Sequence, residues 1–327
     1  MRIPGFKTAA LAARRIRSRF VRGGLVLLYH RVAEPSRDPF SLCVSPQSFA
    51  DQIETLVKFA KPMALADLVD AVREDDVPRR AVAVTFDDGY ADNLHAAKPT
   101  LERFGVPATV FLATGFLGAA FWWDDLAAVL LEPSRLPQRL RLECGGRSRE
   151  WHVTSEAPSA RSRLIAAIHR ELRVADPDER RDAIDRLATA TGVDLGRDRA
   201  SRRALTPAEV GGLAGGNGLI EIGAHTVHHP PLAALPEDAQ RAEIEGCRER
   251  LRELTGRSPV GFSYPFGTPS DFGRTTMRLV REAGFTHACT NVADVVTPGR
   301  DPMRLPRLWV HDWNGSDLRR RLAGWMG

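Results

Sequence analysis

Four cysteines in 327 residues, none of them in a CxxC pair, give this chain neither a disulfide framework nor a cysteine zinc site to fold around. Cys43, Cys144, Cys247 and Cys289 are widely spaced, as isolated thiols of a reducing compartment are. Long apolar runs are missing as well. No stretch approaches the roughly 20 apolar residues that span a bilayer, and the small apolar run at 9–13 is too short for a signal-peptide core. Helix-turn-helix, zinc-finger and RNP patterns are absent, so the net charge of +5 carries no nucleic-acid prediction. There is no internal repeat and no low-complexity tract.

What remains is expected to be a soluble, cytoplasmic protein, and its 43% hydrophobic share is ordinary and enough for one large domain or one domain carrying an insertion. Basic residues gather in segment 1–23, at Arg2, Lys7, Arg14, Arg15, Arg17, Arg19 and Arg22, where a helix is expected over 6–20. Such a helix either rests peripherally on a membrane surface or is a solvated basic face.

Along the chain, short apolar runs alternate with helical patterns. Leu25–Tyr29 reads as a buried strand that delivers His30 to a sheet edge, and Ala81–Phe86 and 108–113 are buried strands of the same kind. Ser45-Pro46 is an N-cap followed by a first-turn proline, opening a helix whose apolar face runs through Phe49, Ile53, Leu56 and Val57. Further helices are predicted over 65–72 and 93–104, the latter stopping at Gly105. From 206 the same rhythm returns: helix 206–213, strand 219–224 ending at His225, helix Glu237–Thr255, strand 260–264, helix 275–283, and last strand candidates 287–290 and 308–310. This alternation predicts an α/β fold with a parallel sheet and outer helices, whose chemistry sits at the carboxyl ends of the strands. Between 121 and 205 the pattern breaks into a helix at 122–131, a hairpin over 140–153 around Gly145-Gly146, and two charged helices over 161–173 and 178–191. We read 121–205 as an insertion between 24–120 and 206–327, serving as a lid, a substrate-facing subdomain or structural padding.

Two short motifs carry chemistry. At 85–90 (TFDDGY), Asp87 and Asp88 stand at the end of a buried strand, where Gly89 permits the turn that brings both into one pocket. Paired acids divide labour, one holding a metal and the other moving protons. An ordinary DDG turn is the plainer alternative. At 225–230 (HTVHHP), His225 and His229 are four apart, so a helical turn would aim both at one ion, with His228 pointing elsewhere and Pro230 and Pro231 ending the turn. Two histidines and a carboxylate with an open water position form a common catalytic zinc set.

Together TFDDGY and HTVHHP resemble the first two motifs of the polysaccharide deacetylase (NodB-homology) family, carbohydrate esterase family 4, in its exopolysaccharide-associated branch. LLYHRV at 27–32, WWDDL at 122–126, FSYPFG at 262–267 and LPRLWV at 305–310 extend the resemblance over roughly 25–315. It implies a distorted (β/α) barrel of about seven parallel strands and removal of N-acetyl groups from an N-acetylated glycan. It also implies Asp87 as general base, Asp88, His225 and His229 as ligands of a divalent metal, usually zinc, and the Phe266 N–H as oxyanion donor. Tyr264, His30 and Trp123 join Phe266 as candidates for the substrate side. Two positions depart from the pattern. Ser263 stands where the family carries an Arg that holds the catalytic Asp, and Arg307 is the candidate substitute. His311, after an apolar strand, is the candidate general acid, with an exposed histidine beyond the strand as the alternative. Trp122, Trp123 and Trp309 either stack on sugar rings or pack. The competing function is a catalytically inactive carbohydrate-binding protein on the same fold, an idea that Ser263 keeps open.

Overall fold

The structure, a computed structural model, describes residues 23–35, 37–196 and 199–326. The basic segment expected to be helical over 6–20 lies outside the described residues. In chain order the elements are β1 (Leu25–Tyr29), the two-residue pair β2 (Arg31–Val32) and β3 (Cys43–Val44), α1 (Pro46–Phe59), β4 (Lys61–Pro62), α2 (Leu65–Arg73), β5 (Ala81–Phe86), α3 (Lys98–Phe104, entered through a π-turn at Asn93–Ala97) and β6 (Ala108–Leu112). Then come α4 (Trp122–Leu131), the hairpin β7 (Arg139–Cys144) and β8 (Arg147–His152), α5 (Pro158–Leu172) and α6 (Pro177–Thr191). The remainder is α7 (Pro207–Ala214), β9 (Ile220–Ala224), α8 (Glu237–Thr255), β10 (Gly261–Ser263), α9 (Arg274–Glu282), β11 (His287–Cys289), β12 (Leu308–Trp309) and α10 (Gly315–Met326).

Seven of the strands form a parallel sheet in the order β11-β10-β9-β6-β5-β1-β12, with β4 added alongside β5. Its two edges meet through one bridge: Leu305, just ahead of β12, accepts the Thr290 N–H at 2.8 Å and donates to Ala288 O at 2.9 Å beside β11. The result is the expected (β/α) barrel, curled but incompletely closed.

Period-two alternation decides what lies inside it. Leu25, Leu27 and Tyr29 of β1, Val82, Val84 and Phe86 of β5, and Val110 and Leu112 of β6 face outward and pack under Phe49, Ile53 and Leu56 of α1, Ile244 and Leu251 of α8, and Leu318 and Leu322 of α10. Each fully buried aliphatic or aromatic side chain of this kind contributes about 1.5–3 kcal/mol. The alternate residues Val26, Ala83, Phe111 and Cys289 face inward and meet Leu65, Leu68, Val69 and Val72 of α2, which closes the barrel floor. Helix α10 has no counterpart in the sequence reading. Its buried apolar side chains are Leu318 and Leu322, set among arginines, and its start signal is Asn314, whose Oδ1 accepts the Asp317 N–H at 2.9 Å. Residues 121–205 build most of a second core, in which Trp122, Trp123, Leu126 and Leu130 of α4 pack with Leu140, Leu142, Ile165, Ile168, Leu172, Ile184 and Leu187, and which Tyr90, Ala113 and Phe116 join from outside that stretch. Among the described residues no helix is long and apolar enough to cross a membrane.

One close approach sets the level of the site. A Cβ on Gly223 would stand 2.3 Å from Phe111 Cδ1, and one on Gly261 would stand 3.3 Å from Phe111 Cε1 and 2.7 Å from His287 Nε2. The Phe111 ring therefore lies across two bare strands and fills the barrel below Arg307, whose Cζ is 5.8 Å from the ring centre. Gly223→Ala is expected to lower unfolding stability by about 1–3 kcal/mol through overpacking. Urea denaturation checks this, and an unchanged midpoint would show that the ring moves aside without cost.

Candidate active site

The same alternation carries polar side chains to the mouth. Thr85 and Asp87 follow Ala83 on the inner face of β5, His225 follows Gly223 beyond β9, Ser263 follows Gly261 on β10, and His30 follows Leu28 beyond β1. The pairing of Tyr29 with Phe86, continued by Asp87 N–H donating to Tyr29 O at 3.0 Å, sets His30 level with Asp87 on the neighbouring strand.

Asp87 is gripped by Arg307. Nη1 donates to Oδ1 at 2.7 Å and Nη2 to Oδ2 at 2.6 Å, with both side chains fully buried. Ser263 Oγ donates to Asp87 Oδ2 at 3.1 Å and accepts from Arg307 Nη2 at 2.9 Å. The rest of the guanidinium is satisfied by Asn291 Oδ1 (2.7 Å), Thr290 O (3.2 Å) and Thr85 Oγ1 (3.3 Å). Burial alone would raise the Asp87 carboxyl. The charges of Arg307 and His225 and the Arg307 hydrogen bonds outweigh it and hold the group down at about 2.

Asp88 reaches the same mouth by a different route. Strand alternation would turn it outward, but Asp88 and Gly89 are left-handed (φ 73° and 88°), and the chain turns back inward. Asp88 Oδ1 comes to 3.6 Å from His225 Nε2 and 3.5 Å from His229 Nε2. The expectation that the two histidines share a helical turn is corrected. Residues 225–230 form no helix; Thr226 (φ 66°) and His229 (φ 56°) are left-handed, and the Thr226 hydroxyl accepts the His229 N–H at 3.0 Å. His228 turns away, its Nδ1 2.7 Å from Glu243 Oε1 on α8.

These three residues fit a metal. Their ligand atoms lie within 4.8 Å of one another and all three are buried. Ligands at about 2.0–2.1 Å in a tetrahedral set stand roughly 3.3–3.4 Å apart, close to the spacings from Asp88. His225 Nδ1 is 2.7 Å from Ser263 O, which places its proton there and leaves Nε2 free to ligate. His229 Nδ1 is buried without a partner. Burial lowers both imidazoles, so both are neutral at pH 7, the form that binds metal. Burial and then the charges of Asp87 and Asp124 raise Asp88, as an acidic ligand awaiting a cation would be.

Other candidates separate. Phe266 stands at the site with φ 60°, its ring 4.7 Å from that of His229 and its carbonyl accepting from Asn291 Nδ2 at 2.9 Å. His30 is buried, 5.3 Å from Trp309, with Nδ1 unpartnered; desolvation holds it at about 4 against the pull of Asp87. His311 is partly exposed between Trp309 and Trp313, both 5.3 Å away, and its strand lies one beyond that of His30. Tyr264 does not face the mouth, which corrects its assignment to the substrate side. Its ring stacks on Phe272 at 4.2 Å and its hydroxyl donates to Met303 O at 3.1 Å, because position 264 falls on the outward phase of β10. Trp122 and Trp123 are buried rather than offered to a sugar. Trp122 stacks on His169 at 4.8 Å and Trp123 packs 4.9 Å from His229. His169, Tyr90 and Asp124 also line this wall, and of these only the acid in WWDDL and the Tyr in TFDDGY carried a signal in the sequence.

With this geometry in view, similarity to known proteins becomes informative. The polysaccharide deacetylase family model matches residues 74–136 and 205–288, the stretches that carry both motifs and flank the insertion. A poly-beta-1,6-N-acetyl-D-glucosamine N-deacetylase of Staphylococcus epidermidis is 32% identical over 108 residues, 29% of this chain and 37% of that protein. The match thus spans little more than a third of the curated relative's own length. Two solved structures share the fold: a deacetylase of Streptococcus pyogenes in complex with acetate (TM-score 0.61, 15% identity, 92% of this chain and 99% of that one) and IcaB from Ammonifex degensii (TM-score 0.56, 20% identity, 93% and 97%). Motifs, barrel and matched stretches agree: residues 74–136 and 205–288 match a polysaccharide deacetylase domain.

Proposed function

We propose that this protein hydrolyses the N-acetyl amide of an N-acetylated glycan, with Asp88, His225 and His229 holding a divalent ion, zinc by preference. The observation that carries the reading is the buried Asp-His-His set beside a second carboxylate fixed at both oxygens by Arg307. The Staphylococcus relative's name makes a β-1,6-linked N-acetylglucosamine polymer the first substrate to try. When bound, such an ion supplies Lewis acidity, activating water and polarising the amide carbonyl.

The side chains divide the remaining work. A carboxylate offers about four lone-pair positions; Arg307 and Ser263 take three on Asp87, and the one left belongs to Oδ1. Asp87 uses it to take a proton from the attacking water, and the guanidinium keeps the carboxylate ionised and aimed. The Phe266 backbone N–H, in its left-handed turn, donates to the oxyanion of the tetrahedral adduct. For the leaving amine we assign His30, one strand from Asp87, ahead of His311, which is two strands away; its imidazole, neutral at rest, passes on the proton that Asp87 has taken from the water.

Purified protein is expected to bind one zinc-class ion and to release acetate from N-acetylglucosamine oligomers. Asp87→Asn should keep the ion and lower turnover by about 10²–10⁴-fold, whereas Asp88→Ala and His225→Ala should lose both ion and turnover. Undiminished acetate release from metal-stripped protein would falsify the reading, and glycan binding without acetate release would favour an inactive carbohydrate binder. Arg307→Lys keeps the charge but loses the two-pronged contact. It should lower kcat by roughly 10²-fold while metal stoichiometry, measured by elemental analysis, stays the same. His30→Gln should cost more in kcat than His311→Gln in the same acetate assay; the reverse order would return the proton-donor role to His311.

A further inference from the structure

We infer that Tyr90 and Asp124 position the metal-binding imidazole of His229 through the indole of Trp123, an inference that rests on reading His229 as a metal ligand. The two imidazoles are held in different ways. His225 has the usual outer hydrogen bond, Nδ1 to Ser263 O at 2.7 Å. His229 has none, and its Nδ1 is buried without a partner. Three rings box it instead: Trp123 at 4.9 Å, Phe266 at 4.7 Å and His225 at 4.7 Å. The orientation of His229 therefore depends on how firmly those rings are fixed.

Trp123 is fixed by a directed chain. An indole N–H only donates, so Trp123 Nε1 gives its proton to Tyr90 Oη at 2.7 Å, and Tyr90 must turn its own proton elsewhere. It donates to Asp124 Oδ2 at 2.9 Å, which completes the chain. Tyr90 is itself clamped, its ring 4.4 Å from Phe121 and 4.5 Å beneath the Arg31 guanidinium. Phe121 in turn stacks on Trp123 at 4.7 Å with planes 15° apart. Tyr90 lies two residues after Asp88, and Asp124 follows Trp123 in the first turn of α4, so the chain ties the acidic motif to the helix that walls the second histidine.

Competition titration of zinc against a chromogenic chelator on the full chain tests this without reference to turnover. Wild type is expected to bind. Tyr90→Phe and Trp123→Phe should each weaken zinc binding by about 10–100-fold, the range for lost outer partners of a ligand. Asp124→Asn keeps an acceptor for the Tyr90 hydroxyl and should stay within a few-fold of wild type. The Tyr90→Phe/Trp123→Phe double variant should be no weaker than either single variant, because both cut one chain. Unchanged affinity in Tyr90→Phe, or losses that simply add, would overturn the inference while leaving the metal site standing. Wild-type protein that binds no zinc would overturn both. If Tyr90→Phe does not fold, Asp124→Ala cuts the same chain one link further out, by removing the acceptor of the Tyr90 hydroxyl, and must show the weakened binding.

Discussion

A fully buried guanidinium facing a fully buried carboxylate is the constraint around which the barrel mouth is built. Taking Arg307 and Asp87 out of water costs several kcal/mol per ion, which mutual attraction offsets only when the geometry is good and the leftover donors are satisfied. Both conditions hold. The contact is two-pronged at 2.7 and 2.6 Å, and the remaining guanidinium hydrogens meet Asn291, Thr290, Ser263 and Thr85. The apolar side is met as well, since Phe111 fills the space underneath because Gly223 and Gly261 have no side chains. The small residue at 263 is then an accommodation rather than a defect. Its hydroxyl contacts both partners, in a volume where a second arginine would compete with Arg307 for the same two oxygens.

Two adjacent acids acquire opposite characters from backbone geometry alone. Asp87 keeps the strand phase, meets Arg307 and is held near 2. Asp88 takes a left-handed turn, and burial and its neighbour's charge raise it against the weaker pull of Arg307. Pairs of titratable groups pushed apart in this way mark a division of roles. One carboxylate stays ionised and ready to accept a proton. The other stays costly to ionise until a cation arrives between it and two neutral imidazoles.

Much of this was legible in the sequence because strands write their geometry plainly. Continuous apolar runs ending in Asp87, His225 and His30 name both the sheet and its business end, and Arg307 was reachable as the one arginine in LPRLWV. Where the sequence misled, a non-periodic feature was read as periodic. His225 and His229 suggested a helix, but the pair is joined by an irregular loop with two left-handed non-glycine residues. Tyr264 followed a strand whose last residues alternate, and one position of phase sends it into the core. For the tryptophans of WWDDL the sequence left sugar stacking and packing both open, because exposure is not written in a residue's type. Helix α10 escaped because its buried apolar stripe is short, at Leu318 and Leu322.

The insertion is the part that motif reading describes least, yet its arginines hold the motif loops in place. Arg173, just past α5, pairs with Asp271 and sets its guanidinium 3.9 Å over the Phe266 ring. Arg180 of α6 donates to His228 O at 3.3 Å and lies 5.0 Å from Trp122. His169 of α5 packs against Trp122 at 4.8 Å and Phe40 at 5.2 Å, with Phe266 5.9 Å away. His169 of α5, Arg173 just past it and Arg180 of α6 therefore bear on the oxyanion-side turn, on the histidine loop and on the wall behind His229. Padding would make contacts with the barrel's outer helices; these contacts converge on residues next to the ligands. The family model skips most of this stretch, so these contacts reach the motif loops from outside the matched residues.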